Sequence, residues 1–211
     1  MRYTPLIAVV SLSCAVPAAA IDTVWNFDNG LGASSGSATM GFLGDTAGIT
    51  SFYDSEHELG LAMPFGDHGS VMSFEATAPS QGLNIDLNNG GATVSQYTLV
   101  YDLFRPAPSW NEWMPLLQTD MTNTSDGDFF INPGDGIGIS GNYDGRVTDQ
   151  RGNIAWNRVV MTYDNGTMNK YIDGQLVGTQ TVSGSRWEID GGFNTLQDEN
   201  NESAMGFISS F

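Results

Sequence analysis

Cysteine, positive charge and long hydrophobic runs are all scarce in this chain. Its single cysteine, Cys14, lies near the amino terminus, so no internal disulfide can hold the 211 residues together. Lysine and arginine together number 7 against 24 acidic residues, and only Lys170 is a lysine. The formal net charge is -17 and the sequence pI about 4.1. A charge of that sign repels phosphate backbones and anionic headgroups, which excludes a general nucleic-acid binder and argues against docking on anionic membranes. The two histidines, His57 and His68, do not supply the three or four close ligands of a zinc site. Neither a Gly-x-Ser-x-Gly nucleophile elbow nor a phosphate loop ending in Lys-Ser/Thr occurs. The apolar stretch Leu6 to Val16 is too short to span a bilayer.

That stretch instead reads as the middle of a secretory signal covering residues 1–20. Arg2 precedes it, and Ala18-Ala19-Ala20 fits the small-x-small cleavage rule. Cleavage there removes Cys14 and makes the net charge more negative by one unit. The mature part, 21–211, is then a cysteine-free extracellular or periplasmic domain. With 40% hydrophobic and 11% aromatic residues it can build a core. Period-two alternation recurs at 97–104, 113–119, 128–132, 136–139, 156–163 and 206–211, with a short candidate strand at Thr23 to Phe27. Asp173-Gly174 between alternating runs predicts a tight hairpin. Many short strands with Gly-rich turns predict an all-β, two-sheet antiparallel sandwich.

Trp156-x-Arg158-Val159-Val160-x-Thr162-Tyr163-Asp164-x-Gly166-Thr167-Met168, followed by Tyr171-Ile172-Asp173-Gly174-x-Leu176-Val177, resembles the central signature of laminin-G-like and pentraxin-like domains. Trp25-Asn26-Phe27-Asp28 resembles the opening strand of the same superfamily. The resemblance implies the concanavalin A-like jelly-roll sandwich. It also implies a chain that continues past the strand at 206–211, so that 21–211 reads as a domain truncated near its carboxy-terminal end. In pentraxin-like relatives, two loops on one rim coordinate calcium. Asp126, Gln197 and Asp198 fall on matching positions, and Asp128 corresponds to an acidic residue there. Gly127 and Leu196 stand where the family has an amide and an acid, so the resemblance implies a poorer site. Physical chemistry points the same way: calcium takes six to eight oxygens, and two acidic loops on one rim repel each other unless a cation or solvent intervenes. The alternative reading is two solvated acidic turns.

Three further features complete the set. Asp135-Gly136 and Asp144-Gly145 are a second acidic pair, read mainly as turns. Trp110, in a Pro-rich turn, is the candidate ligand-binding aromatic, while Trp113 and Trp156 are assigned to the core. Glu188-Ile189-Asp190 resembles the first part of the Glu-x-Asp-x-x-Glu strand of jelly-roll glucanases, but Phe193 occupies the third position. Without the second carboxylate the paired mechanism lacks its proton donor. The expectation is therefore no enzyme, but a secreted recognition module that binds a carbohydrate or a protein surface with the help of Ca2+. The alternatives are an accessory domain of a larger secreted hydrolase and a structural spacer in an envelope or adhesin protein.

Overall fold

The computed structural model describes residues 22–53, 70–120, 126–147 and 156–211. The segment 1–20, expected to be a secretory signal, and both histidines lie outside these residues. Strands follow one another as β1 (Thr39–Leu43), β2 (Thr50–Tyr53), β3 (Val71–Phe74), β4 (Gly82–Asp86), β5 (Thr93–Val94), β6 (Gln96–Phe104), β7 (Met114–Gln118), β8 (Asp128–Ile131), β9 (Ile137–Ile139), β10 (Asn142–Asp144), β11 (Trp156–Asp164), β12 (Thr167–Ile172), β13 (Gln175–Thr181), β14 (Ile189–Asp190), β15 (Gly192–Thr195) and β16 (Gly206–Ser210). They form a front sheet in the order β1-β4-β15-β7-β8-β9-β10 and a back sheet in the order β13-β12-β11-β6-β16-β3-β2, while β5 and β14 pair separately. All pairings are antiparallel, and the result is a jelly-roll sandwich. Among the described residues no helix is long and apolar enough to cross a membrane.

The alternating segments form strands whose ends move by a residue or two. At the Asp173-Gly174 turn both residues have positive φ, 50° and 78°, as a type I′ hairpin requires. Thr23 to Phe27 differs from expectation. It makes one bridge, Val24 to Ser35, and Trp25 exchanges two backbone hydrogen bonds with Phe211 at 2.8 and 3.0 Å. Phe27 then turns the chain out of extended conformation with φ 56°.

The core lies between the sheets. Leu99, Tyr101 and Leu103 of β6 and Val159, Met161 and Tyr163 of β11 meet Leu83, Ile85, Phe129, Ile131 and Ile137 from the front sheet. Truncating one such ring, as in Phe129→Ala, costs about 3–5 kcal/mol through lost transfer energy and the cavity left behind. Lys170, fully buried on β12, reaches across to β10, where it donates to Asn142 O at 2.7 Å and pairs with Asp144 at 2.5 Å. Gly178 makes room for that carboxylate, because a β-carbon there would lie 2.1 Å from it. The pair fastens the β12–β13 edge of one sheet to the β10 edge of the other.

Candidate functional site

Strand register brings the acidic positions together on the outer face of the front sheet. Phe129 and Ile131 of β8 point into the core, so Asp128 and Phe130 point out. Asp128 stands opposite Gln118 of β7, Gln118 opposite Asn194 of β15, and Asn194 opposite Asn84 of β4. The loop at 196–202 folds over this polar row and buries it: Gln118 and Asn194 are each 1% exposed. Amides tie the loop down in sequence. Asn84 donates to Asn194 at 2.9 Å, Asn194 to Gln197 at 3.0 Å, and Gln197 to the Pro79 carbonyl at 2.8 Å. Asp198 caps the loop from within, its Oδ2 accepting the backbone N–H groups of Asn200 at 2.7 Å and Glu202 at 3.0 Å.

Asp126, Asp128, Asp198 and Glu199 therefore converge, with Gln118 beneath them. Among the described residues no cationic side chain pairs with any of the four. Asp126 Oδ2, Asp128 Oδ1 and Gln118 Oε1 are buried with no hydrogen-bond partner. A buried orphan acceptor costs about 1–3 kcal/mol, so three at one spot concentrate an uncompensated desolvation penalty. The Asp128 carboxyl is pushed up from its ordinary 3.8 to about 8, first by burial, then by the charges of Asp126 and Glu199, a hydrogen bond shared with Asp126, and the charge of Asp198. Burial and Asp198 also raise Glu199 and Glu202. The arrangement attracts a proton or a cation. It is not a ready-made cage, since among the described residues no three His, Cys, Asp or Glu side chains already surround one metal position. An ion here would draw on mixed oxygens: carboxylate, the Gln118 amide, backbone and water.

Of the four predicted ligands, the structure brings Asp126, Asp128 and Asp198 near one another. Gln197 reaches the same loop, but both ends of its amide are engaged in the tie-down chain. Gln118 and Glu199 join the cluster without having been expected, and Gln118 Nε2 donates to Glu199. The two apparent defects also have physical reasons. Gly127 points inward, where a β-carbon would lie 2.8 Å from the Arg186 carbonyl and the Trp187 ring. Leu196, at φ 56°, belongs to the core. Neither position faces the cluster, so neither weakens it.

The second acidic pair is neutralised internally. Asp135 binds buried Arg105 at 3.0 Å and Arg146 at 3.2 Å, and Asp144 binds Lys170. Trp110 is half-buried, with its indole N–H given to the Arg105 carbonyl at 3.3 Å. Trp113, assigned to the core from sequence, is half-buried like Trp110 and packs edge-on against Phe130 and Tyr143 at 5.7 and 5.5 Å. Burial, Glu202 and Asp128 push the Tyr143 hydroxyl up to about 12. A separate groove of about 370 Å³ beside the cluster is lined by Thr119, Asp120, Ser185, Arg186, Glu188 and Asp190.

A laminin G family model, described as the concanavalin A-like lectin/glucanases superfamily, matches residues 104–209, half of the chain. The chain belongs to that superfamily. Solved structures are similar to this chain at low identity. Domain 4 of AbnA, a GH43 extracellular arabinanase from Geobacillus stearothermophilus solved with arabinotriose, aligns with TM-score 0.54 and 17% identity over 89% of this chain and 91% of that one. An alginate lyase of polysaccharide lyase family 7 gives TM-score 0.42 and 17% identity over 77% and 93%. The laminarinase catalytic domain from Thermotoga maritima gives 0.44 and 12% over 90% and 96%. No curated protein matches the chain. Membership of a superfamily of lectins and glucanases corrects the expectation that the chain is no enzyme, because catalytic domains belong to it as well as binding ones. The missing glutamate at Phe193 bears on one strand pattern alone. Folding places Asp120, from the end of β7, in the same groove as Glu188 and Asp190, a combination that counting along one strand does not reveal.

Proposed function

We propose that the protein is a secreted carbohydrate-recognition module whose binding rim is organised by calcium. The observation that carries this reading is the set of three buried, unpartnered oxygens on Asp126, Asp128 and Gln118. Hard oxygen donors of carboxylate and amide type suit Ca2+, which tolerates irregular geometry and completes its shell with backbone oxygens and water. Asp126, Asp128 and Gln118 from the sheet, with Asp198 and Glu199 from the loop, would hold the ion, and Gln197 keeps the loop in place. When bound, the ion supplies two positive charges against four crowded carboxylates. The arabinotriose seen on the similar arabinanase domain supports a saccharide as the ligand class. Glycan-array binding tested with calcium and with EDTA checks the reading: calcium-dependent retention of neutral glycans supports it, and equal signals in both conditions count against it.

The groove favours a second reading, polysaccharide cleavage by its carboxylates. Release of reducing ends or unsaturated products from arabinan, laminarin or alginate, lost in Glu188→Gln, would establish it.

A further inference from the structure

The face that carries the cation cluster continues directly into an aromatic row. Phe130 lies two residues from Asp128 on the same face of β8. Register sets Phe130 opposite Gly138 of β9, and Gly138 opposite Tyr143 of β10. Trp113 packs against both rings, with its ring centroid 5.7 Å from Phe130 at 80° and 5.5 Å from Tyr143 at 62°. Phe130 is buried beneath, whereas Trp113 and Tyr143 keep part of their surface in solvent. Tyr143 also stands near enough to Glu202 and Asp128 to feel both charges.

We propose that Trp113 and Tyr143 form the platform of a saccharide subsite, on which a neutral sugar ring lies with its C–H face on the indole and its hydroxyls directed to the Tyr143 hydroxyl and the Glu202 carboxylate. This deepens the carbohydrate reading above and rests on it. The chemistry selects the ligand class. An aromatic surface with a phenolic hydroxyl and a carboxylate acceptor beside it matches a ring that is apolar on its face and hydroxylated at its rim. The Glu202 carboxylate beside it disfavours an anionic sugar, and a purely apolar ligand would leave the polar rim unmatched. Trp110 stays outside the platform, because its indole N–H is tied to its own loop.

The test is isothermal titration calorimetry of the full chain, with calcium present, against cellotriose, xylotriose and mannotriose, with trigalacturonate as the acidic comparison. At least one neutral trisaccharide should bind, and trigalacturonate should bind roughly tenfold more weakly or not at all. Trp113→Ala should lower the affinity about tenfold, Trp113→Phe much less, and Tyr143→Phe about threefold. Trp110→Ala should leave it within about twofold. The calcium-induced rise in melting temperature should persist in Trp113→Ala, which shows that the variant folds. An unchanged affinity in Trp113→Ala, or a preference for trigalacturonate, overturns the platform. Absence of any calcium-induced rise with Trp113-dependent sugar binding intact would overturn the calcium reading and leave the platform standing.

Discussion

Asp135 and Asp144, towards the β10 end of the front sheet, face cations that the chain itself supplies, whereas Asp126, Asp128, Asp198 and Glu199 face one another. The first pair takes Arg105, Arg146 and Lys170, so that its charges close within the fold. The second group receives none of these. Burial without a counter-charge is costly, and in this group it shows as raised carboxyl pKa values and as orphan oxygens. Acidity alone therefore does not mark a binding site. What marks one is acidity that the fold gathers, buries and leaves unneutralised.

Substitutions on either side of this contrast should behave differently. The largest effect is expected on the internally neutralised side. Asp135→Ala leaves the Arg105 guanidinium buried without its partner and should cost about 3–5 kcal/mol in urea unfolding, equally with calcium or EDTA. On the other side, calcium at about a hundred times its Kd should stabilise the wild type by about 2.7 kcal/mol, and Asp128→Asn should lose that gain while being no less stable than wild type in EDTA. Gly127→Ala should cost about 1–3 kcal/mol, because the added carbon meets Trp187. Arg146→Ala, at an arginine 58% exposed, should cost less than about 1 kcal/mol.

Acid titration separates the two groups further. In EDTA, Asp128 keeps its proton in the fold up to about pH 8, while the unfolded chain releases it near 3.8. Its stabilising effect is therefore whole below about pH 4 and is lost as pH rises towards 8. Glu199 and Glu202 shift in the same direction. Thermal melts in EDTA should fall across that window, and calcium should flatten the fall, since its ligands must lose their protons to bind. A melting temperature that rises with pH in EDTA would contradict the assignment of the strain to this cluster.

Much of the fold was legible because alternation is a local signal. The runs at 97–104 and 156–163 and the Asp173-Gly174 turn announce β6, β11 and the β12–β13 hairpin directly. Strands with weak alternation, such as β1, β4 and β15, were not legible, because Gly82, Gly192 and paired asparagines break the pattern. In the site, Asp126, Asp128 and Asp198 could be named from sequence. Gln118 could not, since its place opposite Asp128 depends on register between β7 and β8. Gly127 and Leu196 looked like defects because a sequence position does not reveal which face a side chain takes. Trp113 was assigned to the core for the same reason: its contacts with Phe130 and Tyr143 on the outer face exist only once β8, β9 and β10 are aligned.

Whether the buried carboxylates form a cation site can be decided by calorimetric titration of calcium into the wild type and Asp128→Asn at pH 7.5. Saturable binding near one ion per chain is expected in the wild type, with proton release and a raised melting temperature, and all three should be lost in Asp128→Asn. No heat and no change in melting temperature in the wild type, or identical titrations of the two proteins, would contradict the calcium assignment.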